Sequence, residues 1–512
     1  MFNFTGQTLT ILITLTSSTA FFLFGYDQGV LSGIIGADNQ FGHDFGHPDA
    51  TAQGYIVSVY QLGCFAGSIA VFFLGDWLGR RPAILWASLF MLVGGILQTA
   101  AVNVPMLMVA RIISGLGNGA NTSTIPVWQS ETSSAKDRGK LIAIDACIIN
   151  SGVMVAYWVD YGFAKVSGPA QWRVPVGLQL VFIVMVIVLT FILPETPRYL
   201  MSQGRDQEAK EVMARLAGKN VTTDDHRVVE LCEEIQAAIA IESAGGPFKM
   251  KELLQGGKLQ NFRRMLICFA IQGFQQLGGI CLITYYLPKV LVSSVGMSRA
   301  ASLLVAGLCT TEYVLASIFQ VFMVGWLKRR TMLFISSAGE ITSMVVLAIT
   351  VWHGGFGAGI VATIMLFGFN TFYSFGWLTV PFVYPAEITT LRLRAKGCAI
   401  ASAGAWIIEF MVVQITPIAV QNIGYKTYII FAVLNIALIV PVTYFFFPET
   451  AGLPLEAVDY IFEAGGITAG VFQKGGTVDR RRDIERNLEQ KAHEHAPSTP
   501  PIAIEILEHP QK

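Results

Sequence analysis

The 512-residue sequence predicts an all-α polytopic membrane protein of twelve transmembrane helices, arranged as two six-helix bundles. Three observations carry this expectation. Hydrophobic residues make up 53% and charged residues only 14%, whereas a soluble protein of ordinary composition carries about 25% charged residues. Apolar runs of about 20 residues, the length that crosses a bilayer, recur along the chain. The second half also repeats the landmarks of the first. Lys+Arg 35 against Asp+Glu 35 leaves no net charge, so no basic field attracts nucleic acid.

The apolar stretches fall at 9–34, 54–74, 83–101, 104–127, 141–163, 174–193, 265–291, 301–326, 331–352, 357–384, 398–421 and 426–447. Four parts follow: a first bundle over 1–193, a linker over 194–264, a second bundle over 265–447 and a tail over 448–512. The linker is rich in charge, with amphipathic periodicity from Asp206 to Leu216 and from Asp224 to Ile241. The tail carries Asp479 to Asp483 around three arginines, then Ser498-Thr499-Pro500-Pro501, and reads as a largely disordered segment. Residues 1–8 hold no Lys or Arg, so no cleavable signal is expected. Seven Cys without a CxxC pair or a nearby His at ligand spacing read as small buried hydrophobes, with no metal site.

Base placement orients the spans. Of the 35 Lys and Arg, five (Lys165, Arg173, Lys289, Arg299, Lys426) follow odd-numbered spans and Arg111 lies inside span four. The rest stand on connections after even-numbered spans or on the tail. That side is expected to be cytoplasmic and to hold both termini.

The repeat is ordered. Gly79-Arg80-Arg81 is matched by Lys328-Arg329-Arg330, Glu131 by Glu387, and Pro194-Glu195-Thr196 by Pro448-Glu449-Thr450, at offsets of 249, 256 and 254 residues. Glu131 and Glu387 each precede an arginine, Arg138 and Arg394, by seven residues. An even number of spans per repeat gives both halves the same membrane orientation. That is the repeat geometry of one large class of secondary transporters, which hold substrate between two rocking bundles.

Charged residues inside spans mark the working parts. Asp27 in span one and Arg111 in span four each cost about 2.5–3.5 kcal/mol at mid-membrane, so each faces a partner or the pathway. Span seven places Gln272, Gln275, Gln276 and Gly279 on one helical face. Amides both donate and accept, which suits a polyol, although amides also bond helix to helix. Pro288 is expected to loosen the outer half of that helix. Span eleven puts Trp406 and Glu409 on one face. Gly115, Gly117 and Gly119 lie within an apolar span and fit close helix packing better than a nucleotide loop. No nucleophile–base arrangement supports an enzyme.

Taken together, Gly75-Asp76-Trp77-Leu78-Gly79-Arg80-Arg81, Arg111 with Gly115, Gly117 and Gly119, Pro194 to Leu200, Gln275-Gln276-Leu277-Gly278-Gly279, Tyr384-Pro385-Ala386-Glu387 and Pro448 to Gly452 resemble the sugar porter family of the major facilitator superfamily. Gly25 to Val30 and Trp158 to Gly162 resemble its fungal members. The resemblance implies a plasma-membrane importer of a monosaccharide or polyol, working as a proton symporter. A facilitator, a carrier of a cyclic hydroxy acid or secondary metabolite, and a non-transporting sugar sensor stay open beside it.

The resemblance further implies roles. Asp27 and Arg111 would form the proton-coupling pair. Gln272, Gln275, Gln276, Cys281, Tyr285, Phe382, Trp406 and Glu409 would line the substrate. Asp76, Arg80, Arg81, Glu131 and Arg138, with Arg329, Arg330, Glu387 and Arg394, would form a cytoplasmic gate of ion pairs, weaker in the second half where Lys328 replaces the usual Gly. The chain departs from the family at Ala405, Glu409, Cys281 and Phe382, and Glu409 adds a carboxylate. No cofactor is expected beyond the proton as coupling ion, and the protein is expected to act as a monomer in the bilayer.

Overall fold

A computed structural model describes residues 4–35, 39–133, 138–219, 221–243, 246, 248–257, 259–323 and 326–451, with 458, 459, 461, 462, 468 and 471 of the tail. Twelve long helices cross it: Gly6–Ile34, Ala50–Leu78, Arg80–Thr99, Val104–Thr132, Arg138–Phe163, Ala170–Ile192, Asn261–Ser293, Arg299–Met323, Arg329–His353, Phe356–Ile388, Arg394–Ile423 and Lys426–Phe446. Eleven are long and apolar enough to span a bilayer. The exception is the fourth, whose Arg111, Ser114, Asn118 and Asn121 lower its hydropathy but are all buried. Its polarity is turned inward, so the helix still belongs in the bundle.

The halves are built alike. Span one packs on five and six, two on four, and three on four and six. In the second half, seven packs on eleven, eight on ten, and nine on ten and twelve. The bundles meet where span two lies along eleven, five along eight, and one along the outer part of seven.

Glycines permit the closest crossings. A Cβ at Gly115 would fall 2.2 Å from the Tyr60 carbonyl oxygen, and one at Gly119 would fall 2.0 Å from that of Cys64. Gly115 and Gly119 thus dock span four on span two, and Gly117, whose Cβ would fall 2.3 Å from the Ala87 carbonyl oxygen, docks it on span three, in line with the packing reading.

Two spans are broken at depth. Span seven passes through a wide turn at Gln276–Ile280, with Gly279 at φ +111. The break is not at Pro288, which the helix Cys281–Ser293 absorbs. The Thr284 carbonyl that Pro288 leaves free accepts from the Tyr157 hydroxyl at 2.9 Å. Span ten ends a helix at Phe375 and restarts at Val380.

At the basic end, the linker forms helices Pro197–Ser202, Asp206–Ala217, His226–Ser243 and Met250–Leu254. The tail expected to be largely disordered lies mostly outside the described residues. Of the part described, Val458, Ile461 and Phe462 are buried. Asp459 pairs with Arg264 at 2.6 Å, and the Phe462 ring lies 4.0 Å under the Arg264 guanidinium.

Candidate functional site

Asp27 and Arg111 face each other inside the first bundle with no exposed side-chain surface, Nη1 to Oδ1 3.6 Å. The fit is loose. Among the described residues, neither Asp27 oxygen accepts a hydrogen bond, and Arg111 Nε and Nη1 donate none. Arg111 Nη2 donates to the Val57 carbonyl at 3.3 Å, and the guanidinium lies 4.5 Å over the Tyr60 ring. A purely structural buried pair offsets its desolvation with many hydrogen bonds. This one does not.

The next residue turns the other way. Gln28 crosses the seam between bundles and donates to Glu409 Oε1 at 3.3 Å. Tyr285 of span seven donates its hydroxyl to the same oxygen at 2.7 Å. That hydroxyl also lies 2.9 Å from the Gln61 amide of span two. Glu409 is 2% exposed and, among the described residues, forms no ion pair. One turn away, Trp406 meets Phe24 edge-on at 5.4 Å. Its indole N–H is buried without a hydrogen-bond partner. Span eleven thus offers the seam an acceptor and an orphaned donor on one face.

Two amides of span seven hold the backbone of span ten. Gln275 donates to the Trp377 carbonyl at 2.8 Å, and Gln272 to the Pro381 carbonyl at 3.1 Å. The residues four positions on, Pro381 and Pro385, have no N–H to give those carbonyls, and at membrane depth freed backbone must be satisfied by neighbours. Gln276 is half-buried and accepts from Cys281 Sγ at 3.2 Å. Phe382 is 37% exposed. Trp377 is turned to span nine, donating to Ser337 at 2.8 Å.

The seam is joined at both ends. Away from the basic end, Lys289 donates to Gln53 at 2.8 Å and Ser58 to Gln414 at 2.6 Å. At the basic end, Lys396 of span eleven pairs with Asp76 of span two at 3.0 Å. This ion pair joins the two bundles. Asp76 was expected to pair within its own half.

The arginine clusters are only partly ion pairs. Arg80 meets Glu131 at 3.1 Å and Arg329 meets Glu387 at 3.0 Å, each inside one bundle. Arg81 instead donates to the carbonyls of Thr190 and Phe191, closing the end of span six. Arg330 does the same at Tyr444, the end of span twelve, and also reaches Val471. Glu195 accepts the backbone N–H groups of Arg80 and Arg81, and Glu449 those of Arg329 and Arg330. Burial pushes the Glu195 carboxyl above its usual range, against the pull of backbone donors from Thr196, Arg81 and Arg80. In the second cluster Lys328 takes the extended N-cap position, and Thr450 adds a 2.6 Å bond to Glu387. The Arg138 side chain lies outside the described residues. Arg394 opens span eleven.

The sequence reading gave no site role to Gln28, which lies within Gly25 to Val30, to Lys396, two residues after Arg394, or to Lys289, counted only for orientation. It also missed Gln61 and Glu340, the latter fully buried in span nine, where it takes Ser336 at 3.0 Å. For these two the signal is polarity inside a span, without a motif to rank it.

Two pseudo-equivalent six-helix bundles around a polar seam define a secondary transporter of the major facilitator type. The family described as "Sugar (and other) transporter" matches residues 12–462, and the chain belongs to it. The MFS-type transporter oryC of Aspergillus oryzae is 36% identical over 502 residues, covering 96% of this chain and 92% of that one. Sugar transporter STL1 of Saccharomyces cerevisiae is 35% identical, covering 90% and 82%. Among solved structures, the proton:xylose symporter XylE bound to 6-bromo-6-deoxy-D-glucose matches with a TM-score of 0.75 at 23% identity, covering 90% of this chain and all of that one. The inward-open form of XylE from E. coli matches at 0.70. Membership makes the protein a transporter, not an enzyme.

Proposed function

We propose that the protein imports a small polyhydroxylated solute, a monosaccharide or polyol, with a proton across the plasma membrane by alternating access. In this reading it works as a monomer, with the basic end and both termini in the cytoplasm and no cofactor beyond the coupling proton. The supporting observation is the adjacency of Asp27 and Gln28. One faces an ill-satisfied Arg111 and the other bonds across the seam to Glu409. A proton taken by Asp27 releases Arg111 from its partner, and the same turn of helix carries the cross-seam bond. Proton binding and the parting of the bundles thus act on one stretch of span one.

Substrate meets Trp406, Glu409 and Tyr285 at the seam. A hydroxyl can accept from the orphaned indole N–H and donate to the carboxylate, which matches a polyol. Gln272 and Gln275 serve the site indirectly by holding the broken span ten. Arg80–Glu131 and Arg329–Glu387 brace each bundle, while Asp76–Lys396 is the part of the gate that opens. Relatives more than 30% identical include proteins named as sugar and glucose transporters.

Uptake into proteoliposomes tests the reading. Accumulation above the outside concentration, driven by an inward proton gradient, is the expected result. Equilibration that ignores the gradient indicates a facilitator, and binding without flux a sensor; either overturns symport.

A further inference from the structure

Glu409 is the departure from family pattern that lies in the seam, and its surroundings say what it accepts. Its protein donors are neutral: the Tyr285 hydroxyl at 2.7 Å and the Gln28 amide at 3.3 Å, both on Oε1. No described Lys, Arg or His pairs with it. The buried Arg111 is already held opposite Asp27. Gln28 belongs to the first bundle and Glu409 to the second, so their bond breaks when the bundles part. A carboxylate losing a donor in a site closed to bulk water needs a replacement donor or a positive charge.

We propose that Glu409 is a charge filter. It admits solutes that bring hydrogen-bond donors, tolerates those bearing an ammonium group, and rejects those bearing a carboxylate. The inference rests on the polyol-carrier reading and narrows it, because it removes the hydroxy-acid alternative. The physical ground is like-charge repulsion. An anionic group a few Å from Glu409, screened by protein rather than water, is disfavoured by well over tenfold in affinity. The Trp406 indole N–H can serve an anion or a hydroxyl oxygen equally, so it does not reverse the preference.

The test uses three hexoses matched except at carbon 6: glucose, 6-amino-6-deoxyglucose and glucuronate. Each competes for binding to the full-length purified protein, measured as displacement or thermal shift at pH 7.5. In the wild type, glucuronate should bind at least tenfold more weakly than glucose, with the amine no weaker than about threefold below glucose. Glu409→Gln keeps the size and one acceptor oxygen while removing the charge, and should bring glucuronate to within about threefold of glucose. Glu409→Asp keeps the charge and should keep the gap, which separates charge from misfolding. Glucuronate binding as well as glucose in the wild type, or a gap that survives in Glu409→Gln, overturns the filter alone. If none of the three binds, the polyhydroxylated-solute reading fails and the filter with it.

Discussion

Replacing Asp27 with Asn tests the coupling reading most directly. At 3.6 Å and an effective dielectric of about 20, the attraction between Asp27 and Arg111 is about 4–5 kcal/mol. The amide keeps the shape of the side chain but removes the charge, leaving Arg111 without its counter-ion in a fully buried place. Removing one partner of a buried pair costs about 3–5 kcal/mol, so a lower Tm accompanies the variant. Adding Arg111→Gln removes the stranded charge and should recover much of that loss. A gradient of one pH unit supplies about 1.4 kcal/mol per proton, enough for up to about tenfold accumulation at one proton per solute. Wild-type proteoliposomes should approach that ratio. Asp27→Asn and the double variant should stop at equal concentrations inside and out. Counterflow exchange, which needs the seam but no net proton movement, should survive because Gln28, Glu409 and Tyr285 are untouched. An Asp27→Asn protein that still concentrates solute, with unchanged dependence on pH, would refute the assignment of Asp27 as the proton carrier.

Other consequences are measurable in the same preparations. Gln275→Ala strips the Trp377 carbonyl of its 2.8 Å bond and should lower Tm by the equivalent of about 1–3 kcal/mol; a change in apparent KM at unchanged Tm would return the amide to the substrate. Gly279→Ala meets a φ of +111 and the Met344 methyl at 2.9 Å, and at about 1–3 kcal/mol of backbone strain should depress both Tm and transport rate. Asp76 is 67% exposed, so Asp76→Asn should shift the gate balance by only about 0.2–1 kcal/mol, and the swap Asp76→Lys with Lys396→Asp should restore it; inner-end cysteine labelling reads both. The Arg392 guanidinium, bonded to both Glu252 oxygens at 2.7 and 2.9 Å, holds that carboxyl below its usual range. A depressed acid stabilises above its unfolded pKa and loses that contribution as pH falls through the folded one. The linker contact should therefore weaken below about pH 4.5 in the wild type, and Glu252→Gln should show no such acid limb in melting curves.

Composition and pattern alone settle the membrane class, the spans and the two-fold repeat, because each is written in local hydropathy or in residues at fixed offsets. Family membership was legible for the same reason: its landmarks are short and contiguous. The glycine run of span four was readable as a packing stripe since only Gly lets backbones approach so closely. Spacing also put Trp406 and Glu409 on one helical face, and Asp27 and Arg111 inside the membrane, where a charge demands a partner.

What faces what was decided only in three dimensions. Gln272, Gln275 and Gln276 share a face by periodicity, yet the first two are claimed by carbonyls of span ten that Pro381 and Pro385 leave without a backbone donor. No pattern in span seven announces a break a hundred residues later. The seventh span bends at Gly279, where φ is positive, while Pro288 is absorbed because the Thr284 carbonyl it leaves free accepts from the Tyr157 hydroxyl. Asp76 sits beside arginines in sequence but meets Lys396 of the other bundle, and Gln28 reaches Glu409 across 381 residues. Hydrophobic burial specifies which side of a helix turns inward. Partners across the seam depend on how two bundles pack, a long-range property that local residue chemistry permits but does not encode.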